Sequence, residues 1–447
     1  MSAKRIDART AQRRCPSGAM WLGGLLLSSM AAAQQSTPAV PDAERRDEEP
    51  NQQNQINVVR VDEELRGFWE GTSLAIKPRS YYLDRDRDTN PDNAGWSLGG
   101  ALAYRSGWWL SRIAIGATLF TSQKLYGPED KDGTQLFKPG QESFTVLGEA
   151  FVTARIGEDT GFRLGRQSFD LPFVNKHDIR MVQNTFEAVA LGRPSKTGWS
   201  YIAAYVDEMK RKNDDEFIPM SEAAGAAGTD EGLALAAAQY TFGDGGLIGA
   251  TYQRAFEVMD TFFIKAEKSF QLGSDVSLRG YAQYTDQRSK GDALIGDFST
   301  NLTAVMAELF IPNASFRLAA STAGSERGIQ SPFGGPPNYL SIIVENFDRA
   351  SEDAWMVGAS YDFKGTALDG LSLFANVATG KTPDSGPTAT PDEREYDLTV
   401  DYKFAKESVL KGLAIRLRGA WIDQEESEGG DDFFDFRVIV NYAFDAL

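Results

Sequence analysis

The chain has 447 residues and carries 46 Lys and Arg against 63 Asp and Glu, a formal charge of −17 at pH 7. So acidic a polypeptide is a poor partner for nucleic acid. One cysteine, Cys15, and one histidine, His177, leave no set of residues for a disulfide framework, a thiolate metal site or a histidine-based zinc site.

Residues 1–33 read as a secretory leader. Lys4, Arg5, Arg9, Arg13 and Arg14 form a basic start, "AMWLGGLLLSSM" is an apolar run too short to span a bilayer, and "AAA" at 31–33 suits cleavage. Removing it would take the formal charge to about −21, because five basic groups and Asp7 leave. Residues 34–66 form an acidic, Gln-rich stretch with few apolar residues, which reads as a flexible periplasmic segment.

From 67 to 447 the pattern changes to period two, the signature of strands. Candidate strands fall near 72–83, 95–105, 108–121, 143–156, 161–168, 185–193, 198–208, 233–242, 246–255, 259–270, 276–287, 299–311, 314–323, 354–363, 371–380, 394–404, 412–423 and 435–444. In "SFTVLGEAFVTARIG", Phe144, Val146, Ala150, Val152 and Ile156 share one face against Glu149 and Arg155. In "FRVIVNYAF", Phe436, Val438 and Val440 oppose Arg437 and Asn441. Short turns such as "GEDT", "GDGG" and "PNAS" alternate with long polar loops. That alternation predicts an all-β fold: a transmembrane up-and-down antiparallel barrel of about 18 strands, apolar outside, with both termini on the periplasmic side. Closed backbone pairing lets such a wall cross lipid without an apolar helix.

Several stretches resemble the OprD family of outer-membrane porins. They are "PRSYYLDRD" (78–86), "RLGRQSFDLPF" with "DIRMVQNTFEAV" (163–189), "VENFDRASEDAWMVGASYDF" (344–363), "LDGLSLFANVATGKT" (368–382), "EREYDLTVDYKF" (393–404), "LKGLAIRLRGAW" (410–421) and "DFRVIVNYAF" (435–444). The resemblance implies passive, selective diffusion of small hydrophilic solutes, carboxylate-bearing ones foremost, along basic residues in the lumen of a Gram-negative outer-membrane channel. It also implies a third loop, about 169–185, folded inward as a constriction, and a monomer or weak homotrimer.

The residues independently supply candidates for that basic track: Lys77, Arg79, Arg155, Arg416, Arg418 and Arg437, which period two sends away from lipid, where each charge would cost about 2–4 kcal/mol. Arginine suits the task because its planar fork pairs with carboxylate and keeps its charge. Arg163, Arg166, Asp170, Asp178 and Arg180 are candidates for the constriction, Arg166 sharing the parity of Phe162 and Leu164. The other reading of these arginines is that they pair with carboxylates and pin the third loop to the wall. Expected partners are outer-membrane lipid and lipopolysaccharide, the barrel-assembly machinery, and small anionic or zwitterionic solutes; no cofactor is expected. A non-transporting barrel (adhesin, structural protein or embedded hydrolase) is the alternative. A hydrolase would have to use His177, and no GxSxG accompanies it.

Overall fold

The computed structural model describes residues 65–445 apart from 406 and 426–428. The expected leader and most of the 34–66 segment lie outside the described residues. Eighteen strands form the wall: β1 Ser73–Arg87, β2 Asn93–Arg105, β3 Ile113–Tyr126, β4 Phe144–Ile156, β5 Thr160–Gln167, β6 Thr185–Arg193, β7 Gly198–Lys210, β8 Leu233–Thr241, β9 Leu247–Ala255, β10 Met259–Gln271, β11 Ser277–Ser289, β12 Ser299–Ile311, β13 Ala314–Ala323, β14 Asp353–Asp362, β15 Leu371–Lys381, β16 Glu393–Lys403, β17 Leu413–Gln424 and β18 Phe433–Tyr442. Each pairs antiparallel with its neighbour in sequence, and β1 pairs with both β2 and β18, so the sheet closes. Closure leaves no edge to aggregate or to strand in lipid. A two-residue strand, Phe444–Asp445, adds to β1 at Ala75–Ile76, and the three-residue strand Phe217–Pro219 adds to β7.

The expected strands match closely, with one shifted start. β3 begins at Ile113 rather than near 108. Trp109 bridges Ile113 across a turn whose Leu110 and Ser111 adopt positive φ (49° and 58°), so Trp108 and Trp109 lie in the β2–β3 turn.

Outward side chains are apolar along the wall: Leu164, Phe316, Leu318, Trp355 and Val357 are all exposed. Aliphatic and aromatic side chains there are where lipid sits. The packed core lies inside the barrel. The third long loop, L3 (168–184), sends Phe169, Leu171 and Val174 against Phe186, Ile202, Val206 and Met209 of the wall. The seventh, L7 (324–352), sends Tyr339, Leu340 and Phe347 against Phe263, Leu302, Ala354 and Met356. Each fully buried side chain of this kind stabilises by about 1.5–3 kcal/mol. Where L3 and L7 meet, Asn175 donates to the Gly335 carbonyl and accepts from its amide, both at 2.9 Å. A Cβ on Gly334 would strike Asn175 Oδ1 at 2.5 Å, so only glycine lets the two loops approach there.

Candidate functional site

L3 and L7 pack against one side of the lumen, and a cavity lies against β1–β4 and β16–β18. The cavity, of about 560 Å3, opens on the short-turn side of L3. Its lining includes Lys77, Arg79, Arg105, Lys176, Arg180, Lys403, Arg416 and Arg418, against the acids Glu149, Asp178 and Asp401, a formal excess of five positive charges.

Four of these eight cations are paired with carboxylates. Arg416 makes a two-pronged contact with Asp401 on the adjacent strand, Nε and Nη2 each at 2.6 Å. Arg105 meets Glu149 at 2.7 Å, and Lys176 meets Asp170 at 3.3 Å. Arg79 donates to both carboxylate oxygens of Asp178 (2.6 and 3.2 Å), to Asn441 Oδ1 (2.8 Å) and to the Arg180 carbonyl (2.6 Å). Three cations differ. Arg418 bonds the Thr399 hydroxyl at 3.2 Å; Arg180 donates to the carbonyls of Thr134 (2.9 Å) and Ile179 (3.0 Å); Lys77 stands exposed. None of the three has a carboxylate at ion-pair distance among the described residues. Of the three, Lys77 is exposed, whereas Arg180 and Arg418 are buried in the cavity wall.

The remaining candidates sit elsewhere. Arg437 faces inward but is 1% exposed beneath L7, paired with Asp435 at 2.5 Å and donating to the Ile343 carbonyl at 3.2 Å. Arg155 ends β4 and donates to the Glu158 carbonyl in the short turn at 2.9 Å. Arg163 and Arg166 are wall residues of β5, since L3 begins only at 168. Arg163 points inward, donating to Thr153 Oγ1 at 3.0 Å and lying over the Phe151 ring. Arg166 points outward and pairs with Glu187 at 3.2 Å, because it shares the outward parity of Leu164, which is 56% exposed; it is not part of the constriction. Asp170 closes L3 on itself through Lys176 and a bridge to Asn175.

Arg85, Arg87 and Arg105 were missed. The signal was available for the first two, since 77, 79, 81, 83, 85 and 87 continue a single parity along β1. Arg85 donates to Asp435 Oδ2 through Nε (2.9 Å) and Nη2 (2.7 Å), so one buried carboxylate serves both Arg85 and Arg437.

Electrostatics at the tip of L3 follow from crowding. Burial and the neighbouring Arg437 push the Arg180 guanidinium down to about 10, still charged at neutral pH. The Asp178 carboxyl is held below its usual range by Arg79, against the cost of burial. Burial, with Lys212 and Arg180 nearby, keeps the His177 imidazole well below its ordinary value, hence neutral. Lys212 is itself pushed down to about 7.

A closed barrel of this size, narrowed by inward loops and lined with fixed charge, is a channel wall rather than a catalytic pocket. The model of the outer membrane porin family OprD matches residues 66–446, and the chain belongs to that family of outer-membrane channels, which are not enzymes. Porin D of Pseudomonas aeruginosa is 23% identical over 415 residues, covering 86% of this chain and 93% of Porin D. Pseudomonas aeruginosa OpdK, solved with vanillate, superposes with a TM-score of 0.75 at 20% identity, over 85% of this chain and all of OpdK. A BenF-like porin from Pseudomonas fluorescens Pf-5 gives 0.75 at 20% identity, over 85% of this chain and 100% of that porin, and Acinetobacter baumannii OccAB1 gives 0.76 at 18%, over 87% and 100%.

Proposed function

We propose that this channel passes small carboxylate-bearing solutes, anionic or zwitterionic, by passive diffusion. The observation that carries the reading is that Lys77, Arg180 and Arg418 line the 560 Å3 cavity with no carboxylate at ion-pair distance among the described residues. An anion descending past L3 meets Arg180 first, then Arg418 and Lys77, each weak enough to release it to the next. Arg79 and Arg416 contribute less to attraction, being matched by Asp178 and Asp401, and serve to position the loop and wall. Vanillate, which OpdK was solved with, is itself a small carboxylate.

In this reading the short turns and both termini face the periplasm, and the long loops face outward among lipopolysaccharide. Assembly proceeds through the barrel-assembly machinery after a leader at 1–33 is removed. The test is reversal potential in a planar bilayer under a KCl gradient, together with liposome swelling in matched carboxylates, sugars and amino acids. Anion preference and faster swelling in carboxylates are expected; cation preference, or no preference for carboxylates, would overturn the reading.

A further inference from the structure

We propose that Lys210, a fully buried lysine behind the passage, is a positioning residue for transport: its ammonium holds the Gln183 carbonyl of L3 in place, and its charge adds to the pull on an anion in the cavity. The second half rests on the reading of that cavity as the anion path; the first does not.

The first observation is burial without an acid. Lys210 ends β7, where the fourth long loop, L4 (211–232), begins, and it is 0% exposed. Lysine is almost never fully buried unless paired. Yet no carboxylate lies at ion-pair distance from its Nζ among the described residues. Asp214 and Asp215 of L4 instead meet Lys138 of the second long loop, at 3.9 and 2.5 Å. What Nζ has is two carbonyls, Gln183 at 2.9 Å and Arg211 at 2.8 Å. Taking an ammonium out of water is costly, and charge-assisted bonds to two peptide oxygens offset part of that cost.

The second is what those bonds hold. Gln183 lines the cavity, together with Ile179, Arg180 and Met181 of the same loop. No other donor reaches its carbonyl among the described residues. The other end of the same peptide, the Asn184 amide, donates to the Lys176 carbonyl at 2.7 Å. One peptide unit is thus gripped at both ends, by Lys210 from the wall and by the outgoing limb of L3. Arg79 of β1 grips Asp178 and the Arg180 carbonyl, so the tip and the return limb of L3 are held from two different strands.

The third is reach of charge. The ammonium stands directly behind a lining residue, in an interior where the effective dielectric is low and salt screens little. The L4 acids are matched to Lys138, so no nearby ion pair cancels its field. That field adds to those of Arg180 and Arg418 without Lys210 touching the solute.

The experiment compares native channels with Lys210→Met, which keeps the length of the side chain and loses its charge and donors. Conductance, open-channel noise and reversal potential under a KCl gradient are recorded, with thermal melting alongside. In folded channels Lys210→Met should raise noise and lower the anion-to-cation permeability ratio several-fold. A lysine that serves stability alone would lower the melting temperature and move neither. Lys210→Cys in a Cys15→Ser background gives the second arm. Unmodified, it should behave as Lys210→Met does. Alkylated with bromoethylamine while unfolded and then refolded, it carries an aminoethyl thioether close to lysine in length and charge, and should recover native noise and selectivity. Native noise and selectivity in folded Lys210→Met or unmodified Lys210→Cys would overturn the proposal, as would no recovery on alkylation. Failure of both uncharged variants to fold would assign the lysine to stability and overturn it as well. Native channels without anion preference would sink the transport reading beneath it and leave noise as the readout of the positioning half.

Discussion

Arg79 of β1 grips the carboxylate of Asp178 at the tip of L3 through two hydrogen bonds, of 2.6 and 3.2 Å, and the Arg180 carbonyl through a third, of 2.6 Å. One wall arginine thus fixes both the acid and the backbone that carries Arg180. Asp178→Asn should loosen the tip without unfolding the barrel, because L3 keeps its apolar anchors at Phe169, Leu171 and Val174. Both partners are partly open to solvent, so a double-mutant cycle with Arg79→Ala should give a coupling of about 1 kcal/mol by thermal melting. The carboxyl lies below its ordinary value, so its contribution is present above that value and is lost as pH falls through the lowered one. Open-channel noise should therefore rise on substitution at neutral pH, and in the native channel only under strong acid.

The distinction between matched and unmatched cations has its own consequence. Arg418→Gln removes a charge that no carboxylate among the described residues offsets within ion-pair distance. The paired replacement Arg416→Gln with Asp401→Asn removes one charge of each sign. The single change should shift the reversal potential toward cations and slow carboxylate uptake several-fold, a fraction of the roughly tenfold or greater concentration of counter-ions in a cleft lined by one sign of charge. The paired change should leave selectivity near native. Equal shifts in both would show that the Arg416–Asp401 pair does not neutralise itself toward solute.

L7 is held by carboxylates. Glu395 of β16 accepts the amides of Val344 (3.0 Å) and Glu345 (2.8 Å), and Glu352 accepts Arg349 at 2.7 Å. Within this crowd burial and the neighbours Glu352 and Glu345 push Asp348 up to about 7. A raised carboxyl favours the docked loop while protonated; that contribution is full below the ordinary value of about 3.9 and is lost as pH rises through about 7. L7 should loosen progressively between roughly pH 4 and pH 7, with little further change above, seen as more frequent current fluctuation. Asp348→Asn, which mimics the neutral acid, should flatten that dependence.

Much of the barrel was legible because period two and the alternation of short turns with long loops are set locally. The interior was less so. On β4, Phe144 and Val146 were expected on the lipid face with Val152, yet both are buried inside, against Met181 and Val182 of L3. A bulge is the reason: Thr118 pairs with Glu149 and Leu119 with Leu147, so Gly148 has no partner and the faces exchange. No signal in one sequence separates an apolar side chain under lipid from one under an inward loop. The basic track suffered similarly. Arg437 has the right parity, but that L7 covers it depends on a contact with Ile343, 94 residues away.

Gly380 of β15 offers a test of L7 by packing alone. A Cβ there would overlap Glu352 Oε1, the oxygen that accepts from Arg349. The strand backbone tolerates alanine, so the cost of Gly380→Ala comes from displacing Glu352 and the Phe347 ring, about 1–3 kcal/mol of overpacking. Loss of the Arg349 clasp should raise conductance and open L7 to proteolysis in folded protein. Intact protection of residues 343–349 would show that Glu395 and Arg437 suffice to hold the loop.

His177, the single histidine, should prove dispensable for transport. Its backbone sits at φ 42°, where a non-glycine residue is disfavoured by about 1–2 kcal/mol, and its ring makes no hydrogen bond among the described residues. His177→Gly should therefore leave conductance and selectivity at pH 7.5 unchanged, with stability equal or slightly higher, the gain being offset in part by the freedom glycine has when unfolded. The lowered imidazole value adds a pH signature. Stability from the neutral ring is present above about 6.5 and is lost as pH falls toward the lowered value. Native protein should thus melt progressively lower below about pH 6, by more than the glycine variant does, because protonation would set a third cation beside Arg180 and Lys212. A fall in carboxylate uptake at pH 7.5 on this substitution would instead place the imidazole in the solute path.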